Sequence, residues 1–423
     1  MIGLIIDAVR QRAGFADALS QSDETLTVSV NESGEEISRR AFRQLHLRVE
    51  DQGRLGLAVR EDGLISPLVE SALQSARYGP VVSLLAPFPS PLPPATTCYP
   101  ATAALGAVDL LNSARLLRHR LQAAGREVET WAERSVGRVD VGNTHGVIAG
   151  YDVSLAGIGL RARASTPAGP LLIRLHDSAL TGPDDAMVSA LVTELDQRLA
   201  PPLLEEPPPD QPTRLWLMPR AVAAVMVPLC QALLARQAWS EEGIFAGKLG
   251  EPVLAPVLTL VDDPLAPGRP GSRPVDDEGV VCRRITVLEQ GVLKCAPADL
   301  MTASRLGVPA TGHGRRAPGG PPSTAWSNLE LAPGSGAENN GALAIDHGIL
   351  IRELPFPAGQ CSDGRVAFST PWAYKVERGE IVGRYERLVL KGNAFDWLSR
   401  VERVGATAKW IGARKLPELV IAS

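Results

Sequence analysis

The sequence predicts an α+β chain, with a mixed amino-terminal portion of antiparallel sheet and helices and a strand-rich carboxyl-terminal domain. Three observations carry this. Alternating or β-branched segments recur at residues 26–30, 44–49 and 55–60. Apolar stripes at helical spacing, Leu68, Ala72 and Ala76, then Met187, Leu191, Leu195 and Leu199, separate such segments. A proline-dense acidic stretch at 201–212 divides the chain, and the pattern beyond it is dominated by short strands.

The elements follow in order. Asp51-Gln52-Gly53 joins two of the first strands as a tight hairpin. Ser66 is placed as the N-cap of a helix opened by Pro67 and closed by Gly79. Residues 87–100 are a proline-rich connection, too poor in backbone donors for regular structure. A helix at 109–124, strands at 138–141, 147–153 and 158–164 and a helix at 184–199 complete this portion. Beyond the linker, residues 221–237 form one helix bent by Pro228, which lacks the N–H that an interior position needs. Glu289-Gln290-Gly291 and Glu377-Arg378-Gly379-Glu380 are hairpin turns. A chain of 423 residues exceeds what one core of about 250 to 300 residues holds. Domains at 1–205 and 206–423 follow, with a sub-boundary near 87–100.

Composition excludes several classes of function. A net charge of −4 with 45% hydrophobic residues describes a folded soluble protein with no nucleic-acid partner. The longest apolar run, 221–235, is interrupted by Pro228 and Gln231 and is shorter than the roughly 20 residues a membrane span needs. Met1-Ile-Gly-Leu-Ile-Ile meets Asp7 before a signal-peptide core forms. The five cysteines, Cys98, Cys230, Cys282, Cys295 and Cys361, contain no C-x-x-C pair. A reduced, cytoplasmic setting is therefore expected.

Candidate chemistry is sparse. None of the six histidines forms H-E-x-x-H, its inverted form or H-E-x-x-x-H, and no G-x-S-x-G elbow or P-loop is present. The densest acidic cluster is Asp276, Asp277 and Glu278, followed by Gly279. Paired carboxylates suit acid–base or metal chemistry. Neighbours on a strand point to opposite faces, however, so a turn with Gly279 supplying an unusual backbone angle is the simpler reading. On it, Asp277 is exposed and tolerates an amide better than Gly279 tolerates valine. His313, in Thr311-Gly-His-Gly-Arg-Arg316, lies in a glycine-rich basic segment that suits either a surface loop or an anion cradle. Cys282 is assigned to packing.

Several segments, in order, resemble the TldD/PmbA family along almost the whole chain. They are Gly53-Arg-Leu-Gly56, Asn143-Thr-His-Gly146, Phe245-Ala-Gly-Lys-Leu-Gly-Glu251, Leu258-Thr-Leu-Val-Asp-Asp-Pro264, Gly271-Ser-Arg-Pro-Val-Asp-Asp-Glu-Gly-Val280, Thr302-Ala-Ser-Arg-Leu-Gly307 and Thr311-Gly-His-Gly314. In the family's zinc-binding branch, H-E-x-x-x-H lies in the helix before the F-x-G-x-x-G-E segment, and a cysteine ligand lies near the carboxyl terminus. Here the helix opens Pro219-Arg-Ala-Val with neither histidine nor glutamate, and the later stretch is Lys409-Trp-Ile-Gly-Ala-Arg-Lys-Leu-Pro417. The resemblance therefore implies the PmbA/TldE-like, non-zinc branch. It further implies a cytoplasmic subunit with no cofactor and no catalytic residue of its own, paired with a TldD-like subunit that holds zinc and cleaves short or unfolded peptides. The alternatives are a stand-alone peptide-binding or scaffold protein, and an enzyme using scattered residues such as His313 with Asp276.

Overall fold

The computed structural model describes residues 1–83, 86–122, 127–166, 169–209, 214–234, 239–240, 243–317, 320–334 and 345–422. The last residues expected in the helices 109–124 and 221–237, and residues 210–212 of the expected linker, lie outside the described residues.

The amino-terminal half is built on six antiparallel strands: β1 (Phe15–Asn31), β2 (Gly34–Asp51), β3 (Arg54–Arg60), β4 (Val128–Asn143), β5 (Ile148–Thr166) and β6 (Gly169–Ala179), in the order β3-β2-β1-β4-β5-β6. Because strand side chains alternate, the unbroken β1–β2 register sends Ala16, Ala18, Val28 and Val30 to one face and Asp17 and Leu19 to the other. The first face is covered by helices. Ala16, Ala18, Leu45 and Leu47 pack with α1 (Ile2–Val9) and α2 (Ile65–Ala76). After the short α3 (Pro100–Ala103), α4 (Ala107–Gln122) and α5 (Asp185–Leu199) cover Val28, Val30, Ile158 and Leu160.

Some boundaries differ from expectation for identifiable reasons. The helix expected to open at Ser66-Pro67 is α2, which starts at Ile65 after Leu64, with no side-chain cap, so that Ser66 lies inside it. Gly79 does not terminate it through a left-handed angle. It permits close approach, since a Cβ there would lie 1.7 Å from the Leu55 carbonyl oxygen. The strands expected at 147–153 and 158–164 are one long strand, β5 (Ile148–Thr166), and Gly159 within it makes room for the Trp131 ring. The strand β6 was not expected.

In the carboxyl-terminal half, β7 (Arg214–Leu217) leads into α6 (Pro219–Val225) and α7 (Val227–Leu234). The expected single helix is thus two short ones, broken beside Pro228. Then come β8 (Leu260–Asp262), β9 (Ile285–Glu289), β10 (Val292–Leu293), α8 (Leu300–Leu306), β11 (Gly314–Arg316), β12 (Pro322–Thr324), β13 (Leu329–Leu331) and β14 (His347–Ile351). The chain ends with β15 (Arg365–Thr370), β16 (Ala373–Glu377), β17 (Glu380–Arg384), β18 (Leu388–Asn393), α9 (Ala394–Ser399), β19 (Val401–Ile411) and β20 (Arg414–Ala422). One mixed sheet runs β10-β9-β8-β13-β20-β7-β14-β16-β17, with β19 on β20. The last strand therefore pairs with the first of this half, Leu419 opposite Leu217.

The halves are packed into each other. Leu350, Trp372, Tyr374 and Val420 share a core with Leu110 and Leu191. The proline-rich stretch is laid along β17, where Leu204 N–H donates to Arg384 O at 2.9 Å and Arg384 N–H to Pro202 O at 2.7 Å. Among the described residues, no helix is long and apolar enough to cross a membrane.

Candidate functional site

The acidic cluster forms a closed turn. Val275 and Val281 are bridged across its base, and Asp276 N–H donates to Val280 O at 2.9 Å. Asp276 Oδ1 accepts the N–H groups of Glu278 and Val280, both at 2.9 Å, and Oδ2 accepts Gly314 N–H at 2.8 Å. Gly279 takes φ +85°, which side chains adopt only with strain, and a Cβ there would sit 3.2 Å from Val147.

This turn docks on the face of β1 and β2 left free of helices. Asp17 and Arg48 stand opposite each other in the strand register. Arg48 Nε donates to Asp17 Oδ2 at 2.9 Å, and Arg48 Nη1 to Glu278 Oε1 at 2.5 Å. Arg316 also pairs with Asp17, and its backbone N–H donates to Asp277 Oδ2 at 2.9 Å. Glu278 Oε2 accepts the Leu300 N–H at the start of α8. Asp17, Arg48, Asp276, Asp277 and Glu278 are all buried. Asp277 is only 2% exposed, which corrects the expectation of an exposed position. Burial, and then the charge of Glu278, push the Asp276 carboxyl up to about 7, against the pull of its three N–H donors. Burial likewise raises Glu278, opposed by Arg48. Nearby His46 is pushed down to about 4 by burial and by Arg316.

His313 is fully buried, not on a surface loop. Its Nε2 lies 3.0 Å from Asp262 Oδ2 and its Nδ1 3.0 Å from Thr311 O. It therefore ties β8 to the loop ahead of β11. Asp276 and His313 each satisfy their polar atoms with other groups, so they form no acid–base dyad. The cluster holds the two halves together, and the signal for this was dispersed: Asp17 and Arg48 are unremarkable strand residues until the register places them opposite each other.

A second feature lies at the end of β7. A cleft of about 420 Å³ is lined by Glu194 of α5, Pro219 and Arg220 of α6, Arg352, and Lys409 and Trp410 of β19. Burial opposes the charge of Glu194, but Arg220 and Arg198 hold its carboxyl below its ordinary value. Arg198 Nη2 donates to Glu194 Oε1 at 2.5 Å and Arg220 Nε at 3.0 Å. Among the described residues, no three His, Cys, Asp or Glu side chains are grouped as a metal site.

Comparison with known proteins accounts for these segments. The family described as the PmbA/TldA metallopeptidase C-terminal domain matches residues 211–423, just over half of the chain. The chain belongs to the TldD/PmbA family. A Metalloprotease TldD homolog of Haemophilus influenzae is 31% identical over 165 residues, covering 39% of this chain and 34% of that protein. A metalloprotease of Methanothermobacter thermautotrophicus is 30% identical over 165 residues, covering 39% of this chain and 36% of the relative. The aligned stretch thus spans about a third of these relatives. The fold matches the crystal structure of TldE from Thermococcus kodakarensis, with TM-score 0.85 and 20% identity over 99% of this chain and 98% of that one.

Within this TldD/PmbA chain, the two segments that the resemblance pairs around zinc are neighbours. Pro219 and Arg220 open the helix, Lys409 and Trp410 come from near the carboxyl terminus, and all four line one cleft.

Proposed function

We propose that the chain is the non-catalytic, PmbA/TldE-type subunit of a two-subunit TldD–TldE-type zinc metallopeptidase acting on short or unfolded peptides in the cytoplasm. A TldD-like partner holds the zinc and performs the hydrolysis. The observation that carries this is the cleft between α6 and β19. The helix that the resemblance matches to the zinc branch's H-E-x-x-x-H has neither histidine nor glutamate, residues 409–417 have no cysteine, and these segments contribute Arg220 and Lys409 to the cleft. Zinc takes deprotonated sulfur, nitrogen or oxygen ligands, and two cationic side chains oppose a divalent ion. Two carboxylates line the cleft: Glu194 is already engaged by Arg198 and Arg220, and Asp177, which burial pushes up, accepts the Ser178 N–H. These residues do not fit the metal. No catalytic step is assigned to this chain; its part is to complete the peptidase chamber and to bury surface against the partner, on the order of 2,000 Å² or more for a permanent complex.

The test is co-expression with a TldD-like protein from the same source, followed by size-exclusion mass, zinc analysis and peptide cleavage for each chain and the mixture. A co-eluting complex with zinc-dependent cleavage, and no stoichiometric zinc in this chain alone, is expected. Separate peaks with a fully active zinc subunit would favour the stand-alone peptide-binding or scaffold reading. About one tightly held zinc in this chain alone would overturn the non-catalytic assignment.

A further inference from the structure

The loop leading into the acidic turn also closes a cavity of about 190 Å³ against the outer face of the six-stranded sheet. Its lining includes three arginines, Arg269, Arg273 and Arg315, and no aspartate or glutamate. Arg273 is only 3% exposed, and its Nε and Nη2 have no hydrogen-bond partner. Leaving two nitrogens of a buried guanidinium without an acceptor is costly, because those donors lose water and gain nothing. The group beside it, the Cys282 thiol, offers no charge: burial pushes it up to about 12, against the pull of Arg273. Arg315 leans on Asp277 at 3.3 Å, leaving the cavity with an excess of positive charge. Tyr151 adds a phenol, which burial pushes up to about 12 and so keeps as a hydroxyl donor.

We propose that this cavity binds a small organic carboxylate, held by Arg273, Arg315 and the Tyr151 hydroxyl. The planar guanidinium fork matches a carboxylate in two parallel hydrogen bonds. Val139, Val153 and Leu180 form an aliphatic wall suited to the carbon skeleton that inorganic phosphate lacks. This assignment depends on neither the zinc nor the partner subunit, so it stands or falls separately from the subunit reading.

The experiment titrates the purified full chain with N-acetylalanine, with N-acetylalaninamide and with inorganic phosphate, by calorimetry and by thermal shift. The acid should bind saturably and raise the melting temperature, while the amide does neither. Arg315→Gln, at a partly exposed position, should fold and weaken binding at least about tenfold. Arg273→Met should weaken it as much, yet raise the melting temperature of the unliganded protein, since it removes an uncompensated buried cation. Equal binding of acid and amide, binding of phosphate alone, or no heat with any probe up to millimolar concentration would each overturn the assignment.

Discussion

Arg48 donates to Glu278 at 2.5 Å, joining side chains that stand 230 positions apart in the chain. The same guanidinium holds Asp17, its direct neighbour across the β1–β2 ladder. The strand register of one half therefore sets the docking of the turn from the other. Breaking a buried pair from one side leaves uncompensated charge, so Arg48→Met is expected to cost about 3–5 kcal/mol in urea unfolding at neutral pH. The solvent-facing Arg60–Asp62 pair is the control, and Arg60→Gln should leave the midpoint unchanged. A loss below about 1 kcal/mol for Arg48→Met would show that desolvation cancels the network's attraction.

Asp277 and Gly279 make a second test. The sequence ranks valine at Gly279 as more damaging than asparagine at Asp277. The buried position of Asp277, with Arg316 N–H and Arg315 on its two oxygens, removes that ranking. Asp277→Asn keeps one acceptor and turns a donor towards the other arginine, at about 1–3 kcal/mol. Gly279→Val meets backbone strain of about 1–3 kcal/mol and contact with Val147. Both variants should thus show comparable losses in denaturant midpoint. A neutral Asp277→Asn would restore the original ranking.

What the sequence disclosed follows the range of the forces involved. The hairpins at Gln52-Gly53, Gln290-Gly291 and Arg378-Gly379 were legible because their turn chemistry is local, and the disturbance at Pro228 was legible as a bend, because a missing donor is local too, although the helix is in fact broken there. The turn at 276–279 was likewise readable from its own residues. Its burial was not, since that depends on Asp17 and Arg48, whose partnership exists only once the sheet is in register. The same holds for His313, where a glycine-rich basic segment suggests a loop in water and Asp262, distant in sequence, places it in the interior. Arg273 drew no notice beside three acids, and only the cavity reveals its orphaned donors.

The three hairpins give a graded prediction. In each, the first turn residue has φ of 49°, 50° or 52° and is followed by a glycine of positive φ. A Cβ at Gly53 or Gly379 meets open space, whereas at Gly291 it would lie 2.4 Å from the Leu254 carbonyl oxygen. Gly53→Ala and Gly379→Ala should therefore cost only the conformational strain, about 1 kcal/mol. Gly291→Ala should cost clearly more, and thermal unfolding of the three variants compares them directly. Equal losses would mean that the strand end beside Gly291 moves aside freely.

The pH dependence of stability tests the turn's electrostatics. With the Asp276 carboxyl raised to about 7 in the folded chain, the folded state binds a proton that the unfolded chain, with an ordinary aspartate, releases at lower pH. The resulting stabilisation is complete below the unfolded value and is lost as pH rises through about 7. Glu278 is raised too, so it acts in the same direction. Asp276→Asn cannot ionise. Its single oxygen still accepts from Glu278 and Val280, but it gives up the bond from Gly314. The variant should therefore be less stable than the parent at about pH 5, and the gap should narrow by about pH 8, where the parent holds an unfavourable buried charge. Melting temperatures of both proteins across that window decide it. A gap that stays constant or widens would mean that the three N–H donors outweigh burial and keep Asp276 ionised throughout.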